Sequence, residues 1–343
     1  MSTRVRIALA ALALALLAGC STTGTTGDPP AAAAFVAPLL DAELATRIQQ
    51  LDPDRVSAAD VSETLAHAPA AQIMLVHGAV PPAAETLRSF GAFLVAMGYP
   101  AERIRNPADG TYTYSAYLGS ERLTGSIAWY YEHSPLRPMI VGHSLGGVQT
   151  VRVLHELAGE FDAAHEVWNP ATGAPESRTT ITDPVDGDER PVVGLKLAFA
   201  SALASGGMAR LFPQAWAMAG RLRDIPPSTE AFFGAYIGGD PFGGDFFGVG
   251  STNAYAATAP GVVVETIGLP ATYNHFTAPD TAALADDPAA RAWIEGYDPA
   301  NPPPTDDAFT NAHPNIVWAA QMWARIKRHW VLELKRWLAT QGQ

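Results

Sequence analysis

Pro138-Met139-Ile140-Val141-Gly142-His143-Ser144-Leu145-Gly146-Gly147 is the stretch whose reading decides the fold. Met139-Ile140-Val141 is a short apolar block of the kind found in a strand buried on both faces. Residues 146–157 space their apolar side chains as an amphipathic helix does. Between strand and helix sits Gly142-His143-Ser144-Leu145-Gly146, a G-x-S-x-G pattern in a strand-turn-helix context. A chain turning that sharply strains the backbone at the serine, and a side chain two residues to either side would collide across the turn. The turn lifts the Ser144 hydroxyl clear of the sheet and sets it at a helix N-terminus, whose partial positive charge favours a developing anion.

Outward from this point the chain alternates strand and helix. Upstream, Gln72-Ile73-Met74-Leu75-Val76 predicts a buried strand ending in His77-Gly78. A helix over residues 85–97 follows, stopped by Gly98. Arg103-Ile104-Arg105 is a short strand candidate, and residues 120–133 a helix with Leu123 and Ile127 on one side. Downstream, residues 165–191 are irregular and residues 192–200 return as a strand. Residues 201–230 carry Met208, Leu211, Phe212, Trp216, Met218 and Leu222 between Gly206-Gly207 and Pro226-Pro227. Such a stretch is either a lid over an apolar pocket or an ordinary helix covering the sheet. Residues 232–237 and 261–267 are further strands, and residues 296–315 a Pro- and Asp-rich surface loop. The tail, residues 316–338, is an amphipathic helix with four tryptophans among Lys and Arg, suited to packing on the sheet or to lying on a membrane surface. Strands alternating with helices mean an α/β architecture with a mostly parallel central sheet.

The chain has 343 residues, 48% hydrophobic and 16% charged, enough for a sizeable core. Its 22 basic against 34 acidic residues, a net charge of −12, argue against a nucleic-acid partner. The single cysteine excludes intrachain disulfides and multi-cysteine metal sites. Nothing in the sequence fixes an oligomeric state.

That cysteine, Cys20, follows the only long apolar run. Arg4 and Arg6, a stretch of Ala and Leu over residues 7–18, and Leu17-Ala18-Gly19-Cys20 have the plan of an export signal, too short to span a bilayer as an ordinary helix. The ending resembles the bacterial lipoprotein signal, which implies removal of residues 1–19 and a diacylglyceryl group on Cys20. Ser21 in the next position resembles outer-membrane sorting. Residues 20–38, rich in Thr, Gly, Ala and Pro, read as a flexible tether ahead of a domain spanning residues 39–343. A membrane partner is thus expected through the anchor.

Over residues 70–280 the elbow and the upstream His77-Gly78 resemble the α/β-hydrolase fold, in particular its bacterial lipases and esterases. The resemblance implies a serine hydrolase acting on a small-molecule or lipid ester, without metal or organic cofactor. It makes Ser144 the nucleophile, the backbone N–H groups of Ala79 and Leu145 the oxyanion hole, and the order of the triad Ser, Asp or Glu, His. His77 would then brace its loop. Of the later histidines, His155 lies on the helix leaving the elbow, His165 comes too early and His329 sits in the tail. His275, just past the strand over residues 261–267, is the expected base, with His313 in reserve. For the acid, Asp240 and Asp245 compete; spacing leaves both open, with a slight preference for Asp245 because Gly243-Gly244 could bend the loop back. An acyltransferase or amidase would use the same triad, and a non-catalytic surface lipoprotein on this scaffold would be expected to have a broken one. Mass spectrometry of the exported protein should show a mature chain beginning at a diacylated Cys20; an unmodified N-terminal peptide starting elsewhere rules out the anchor.

Overall fold

A computed structural model of the protein describes residues 40–161, 164–244 and 253–341. Cys20, the rest of the signal and the whole tether lie outside them, as does Asp245. Among the described residues, six strands form one sheet: β1 (Ile73–His77), β2 (Tyr114–Ser115), β3 (Met139–His143), β4 (Phe199–Leu203), β5 (Ala231–Ile237) and β6 (Val263–Leu269). Their order is β6-β5-β4-β3-β1-β2, and every neighbouring pair is parallel.

Among the described residues six longer helices accompany the sheet: α1 (Ala42–Gln50), α2 (Pro81–Ala96), α3 (Ser120–Glu132), α4 (Leu145–Leu157), α5 (Pro288–Glu295) and α6 (Ile316–Gln341). The period-2 alternation of the strands decides which face each side chain serves. Ile73, Leu75, Met139 and Val141 join the core under α2 and α6, with Leu87, Phe90, Trp318 and Trp330. Met74, Val76 and Ile140 join the opposite core under α3 and α4, with Leu123, Ile127, Val148 and Val151. A parallel sheet covered on both faces accounts for strands that read as unbroken apolar runs. The architecture is consistent with an α/β-hydrolase-like fold. Between β1 and β3 the strand order reverses, since β2 adds to one side and β4 to β6 to the other. In open parallel sheets the crevice at such a reversal, outside the carboxyl ends of the strands, is where ligands bind.

Several local expectations are corrected. Residues 103–105 are not a strand; Ala101–Arg103 is a 3-10 turn and the edge strand is Tyr114–Ser115. One apolar residue between two arginines gives no alternation, and Asn106 ties the segment into a turn through the Thr111 carbonyl. Residues 192–198 do not pair in the sheet as a strand, because Gly194 at φ 106° turns the chain and β4 begins only at Phe199. The stretch over residues 165–191 holds two small antiparallel pairs, Trp168–Asn169 with Ala174–Pro175 and Thr180–Thr182 with Glu189–Pro191. The supposed lid begins inside β4 and continues as two 3-10 helices, Gly207–Leu211 and Pro213–Met218, rather than one α-helix. Gly207, at φ 43°, and Pro213 interrupt the α-helical pattern there. The loop over residues 296–315 carries a short helix, Asp307–Ala312, capped by Asp306.

The tail helix α6 packs its tryptophans inward: Trp318, Trp323 and Trp330 are fully buried. That face is therefore covered by the sheet and by α2, not offered to a membrane. Trp330 rests on Tyr99, ring centroids 4.7 Å apart, and its indole N–H donates to the Pro69 carbonyl at 2.7 Å. The indole N–H of Trp318 is buried without a partner among the described residues. Trp330→Phe should therefore cost more stability than Trp318→Phe in denaturant unfolding, by about 1–3 kcal/mol, because only the first leaves a buried carbonyl unsatisfied.

Candidate active site

Ser144 stands between β3 and α4 with φ 57° and ψ −123°, a left-handed backbone that a serine adopts only where its surroundings impose it. Its N–H donates to the Leu203 carbonyl at the end of β4 (2.9 Å), and its carbonyl accepts from Gly147 and Val148, starting the helix. The glycines are required by contact. A Cβ on Gly142 would collide with the Gly146 carbonyl, and one on Gly146 with the Val76 carbonyl of β1. A Cβ on Gly78 would stand 2.8 Å from that of Ser144. The end of β1 is thus packed directly against the elbow, which brings the backbone of Gly78 and Ala79 beside the serine.

Three side chains distant in sequence meet here. Nε2 of His275 lies 3.0 Å from the Ser144 Oγ, and Nδ1 of His275 lies 2.7 Å from Asp240 Oδ2. Ser144, His275 and Asp240 are all buried, at 9%, 6% and 6% exposure. His275 is carried by the loop after β6, tightened where the Asn274 side chain accepts from the Phe276 N–H and the Asn274 carbonyl accepts from Ala278. Asp240 follows β5 by way of Gly239 at φ 75°. Its Oδ1 accepts from the Phe242 N–H (2.9 Å) and its Oδ2 from the Gly243 N–H (3.1 Å). Burial works against its charge, but the bond and charge of His275 together with those two amides outweigh it, so its pKa is lowered. An ionised Asp240 can only accept, so the His275 proton sits on Nδ1 and the Nε2 lone pair faces the serine hydroxyl.

Among the described residues the carboxylate at His275 is Asp240, one of the two aspartates that the sequence left open; Asp245, which the Gly243-Gly244 pair favoured, lies outside them. The glycines do something else. Gly243 presses its Cα on the Ala204 carbonyl, and its N–H binds Asp240. Three of the other later histidines are occupied elsewhere: His155 with Glu160 and the Asp224 carbonyl, His313 with Asp287 and the Phe309 carbonyl, His329 stacked on Phe199. His77 Nδ1 donates to the Gly78 carbonyl at 2.8 Å, within the turn that leads to Ala79. Leu145 is the first residue of α4, so its N–H belongs to the four donors that a helix leaves without an intrahelical partner.

Two contributors escaped the sequence reading. His143, inside the motif, is fully buried, and its Nε2–H donates to the His275 carbonyl at 2.8 Å. Burial first, then the neighbouring His275, pushes its pKa down to about 3, so it acts as a neutral clasp on the loop that carries His275. A histidine beside the elbow serine was the only available signal. Tyr117 donates its hydroxyl to the Ala79 carbonyl at 3.2 Å, which a sequence gap of 38 residues conceals. Phe242 and Phe276 flank the His275 ring, with centroids 5.5 and 5.0 Å away. The Ala209 N–H in turn donates to the Phe242 carbonyl, docking the 3-10 segment with exposed Leu211 and Trp216 on the acid loop.

No protein-family model matches this chain, and a search of curated proteins finds no relative.

Burial holds His143 and His329 neutral in the fold, with pKa values of about 3 and 4 against 6.5 for a free imidazole. The unfolded chain therefore binds more protons between those values and 6.5, and stability falls as pH drops below about 6.5, by up to about 1.4 kcal/mol per unit and group. Urea unfolding at pH 7 and pH 5 should show this loss, and His329→Gln should reduce its slope.

Proposed function

We propose that the protein is a serine hydrolase of carboxylic esters, exported and tethered to the cell envelope through Cys20. The observation that carries the reading is the hydrogen-bonded chain Asp240–His275–Ser144 mounted on a strained elbow. Asp240 holds the Nδ1–H tautomer, so Nε2 takes the proton of Ser144 Oγ as that oxygen attacks the acyl carbonyl. The developing oxyanion is met by the N–H groups of Ala79 and Leu145, aided by the N-terminus of α4. His275 then returns the proton to the departing alcohol, leaving Ser144 acylated. A water molecule, deprotonated by the same imidazole, attacks the acyl-enzyme and releases the acid. The aromatic side chains of Phe242 and Phe276, with the exposed Leu211 and Trp216 nearby in the fold, support an ester with a substantial apolar portion.

Fluorophosphonate labelling is expected in wild type and absent from folded Ser144→Ala; equal labelling of both sinks the proposal. Asp240→Asn should lower kcat on nitrophenyl esters by about three to four orders of magnitude, as loss of the orienting carboxylate does in such triads. Asp245→Asn should leave kcat nearly unchanged, and the reverse pattern would transfer the acid's role to Asp245.

A further inference from the structure

Beyond β1, on the side of Ser144 away from β4, β5 and β6, a cavity of about 170 Å³ opens at the carboxyl ends of β1 and β2. His77 and Ser115, paired in register at the ends of the two strands, line it, and Gly78 and Ala79 follow His77 directly in the chain. Arg88 from α2 and Arg122 from α3 also line it. Elsewhere the arginines of this acidic chain mostly hold carboxylates, as Arg137 does with Glu230 and Arg178 with Glu132. Among the described residues Arg88 and Arg122 have no carboxylate partner; Arg122 lies over the Trp168 ring at 5.4 Å.

Two further donors lack partners. Ser126, one helical turn beyond Arg122, and Thr113 are 4% and 3% exposed, and both line the cavity. Among the described residues neither hydroxyl has a hydrogen bond. Neither oxygen is among the fully buried unpaired atoms, so each opens on the cavity, where water or a ligand can meet it. The acid of the lining, Asp109, is exposed, and its Oδ1 already accepts from the Thr111 N–H and hydroxyl. His77 is held neutral by burial, so the lining carries one positive charge in excess.

We infer that this cavity, lined by Arg88, Arg122, Thr113 and Ser126, binds a compact oxyanion at one end of the substrate, a carboxylate or phosphate. The inference rests on the proposed ester hydrolysis at Ser144 and narrows its substrate class. Two guanidinium groups and two hydroxyls supply the donors that such a group accepts from, and Arg presents them as a planar fork. The cavity, about 170 Å³, has room for a carboxylate or phosphate with a few further atoms. The substrate is then an amphiphilic ester, its apolar part toward Phe242 and Phe276 and its anionic end beyond Ala79.

The test uses the full chain with 4-nitrophenyl acetate and the mono-4-nitrophenyl esters of succinate, glutarate and adipate. In Arg88→Gln/Arg122→Gln, KM for at least one half-ester should rise tenfold or more, with kcat/KM for the acetate within twofold of wild type. Equal change for all the esters, or no change for any, overturns the inference. Arg122→Lys, which keeps stem and charge, should retain most of the preference; its loss to the same degree as in Arg122→Gln, with an unchanged melting temperature, requires the planar fork and still supports the site. Calorimetry with succinate and with inorganic phosphate separates the two anions and is independent of turnover. Binding of either to Ser144→Ala, lost in the double arginine variant, sustains the site even if no ester is hydrolysed. Failure of both anions to bind wild type overturns it.

Discussion

The contact on which the other features of the site depend is that between the end of β1 and the elbow after β3. Gly146 leaves no room for a Cβ against the Val76 carbonyl, and Gly78 none against Ser144. With two bare Cα atoms the backbones approach closely enough for Ser144 to be held at φ 57° and for the turn at Ala79 to stand beside its hydroxyl. Removing that closeness would move the first turn of α4 and the proposed oxyanion donors together, because both are read from the same few backbone atoms. The strain at Ser144 is offset by the helix it starts and by the bond of its N–H to Leu203.

The reversal of strand order between β1 and β3 gives the site two dissimilar sides. Toward β4, β5 and β6 lie Asp240 and His275, carried by the loops that follow the last two strands of the sheet. Aromatic rings surround the imidazole on that side. Toward β2 lies the cavity with its two arginines and unmet hydroxyls. One serine between an apolar side and a cationic side is the arrangement that an amphiphilic ester would require, and the lipid anchor proposed at Cys20 would keep such an enzyme where amphiphiles accumulate.

His143 links the packing of the fold to the geometry of its site. It belongs to β3, yet its imidazole reaches the backbone carbonyl of His275. Full burial keeps that imidazole uncharged, so the clasp does not compete with Asp240 for the role of charged partner to His275. The hydrogen bond therefore restrains the backbone of the His275 loop while Asp240 sets the tautomer of the ring.

Residues whose roles are local could be read from the chain. The apolar blocks at Ile73 and Met139, the glycines around Ser144 and the helical spacing after it give strand, turn and helix by short-range sterics and periodicity alone. His275 was legible because it follows the last strand, and topology carries a residue in that position to the carboxyl edge. The α-helix expected across residues 201–230 and the strand at residue 104 were not, since single glycines, prolines and side-chain bonds override weak periodicity. The choice between Asp240 and Asp245 depended on a loop bend that closes a contact 35 residues long. So did the meeting of Arg88, Arg122, Thr113 and Ser126, which lie on three separate segments. By itself the sequence determined the alternation of elements and the place of the elbow, because those follow from neighbours along the chain. Only the tertiary structure decided which carboxylate meets the imidazole and which donors share a cavity, because distances across a sheet are set by packing and not by spacing in sequence.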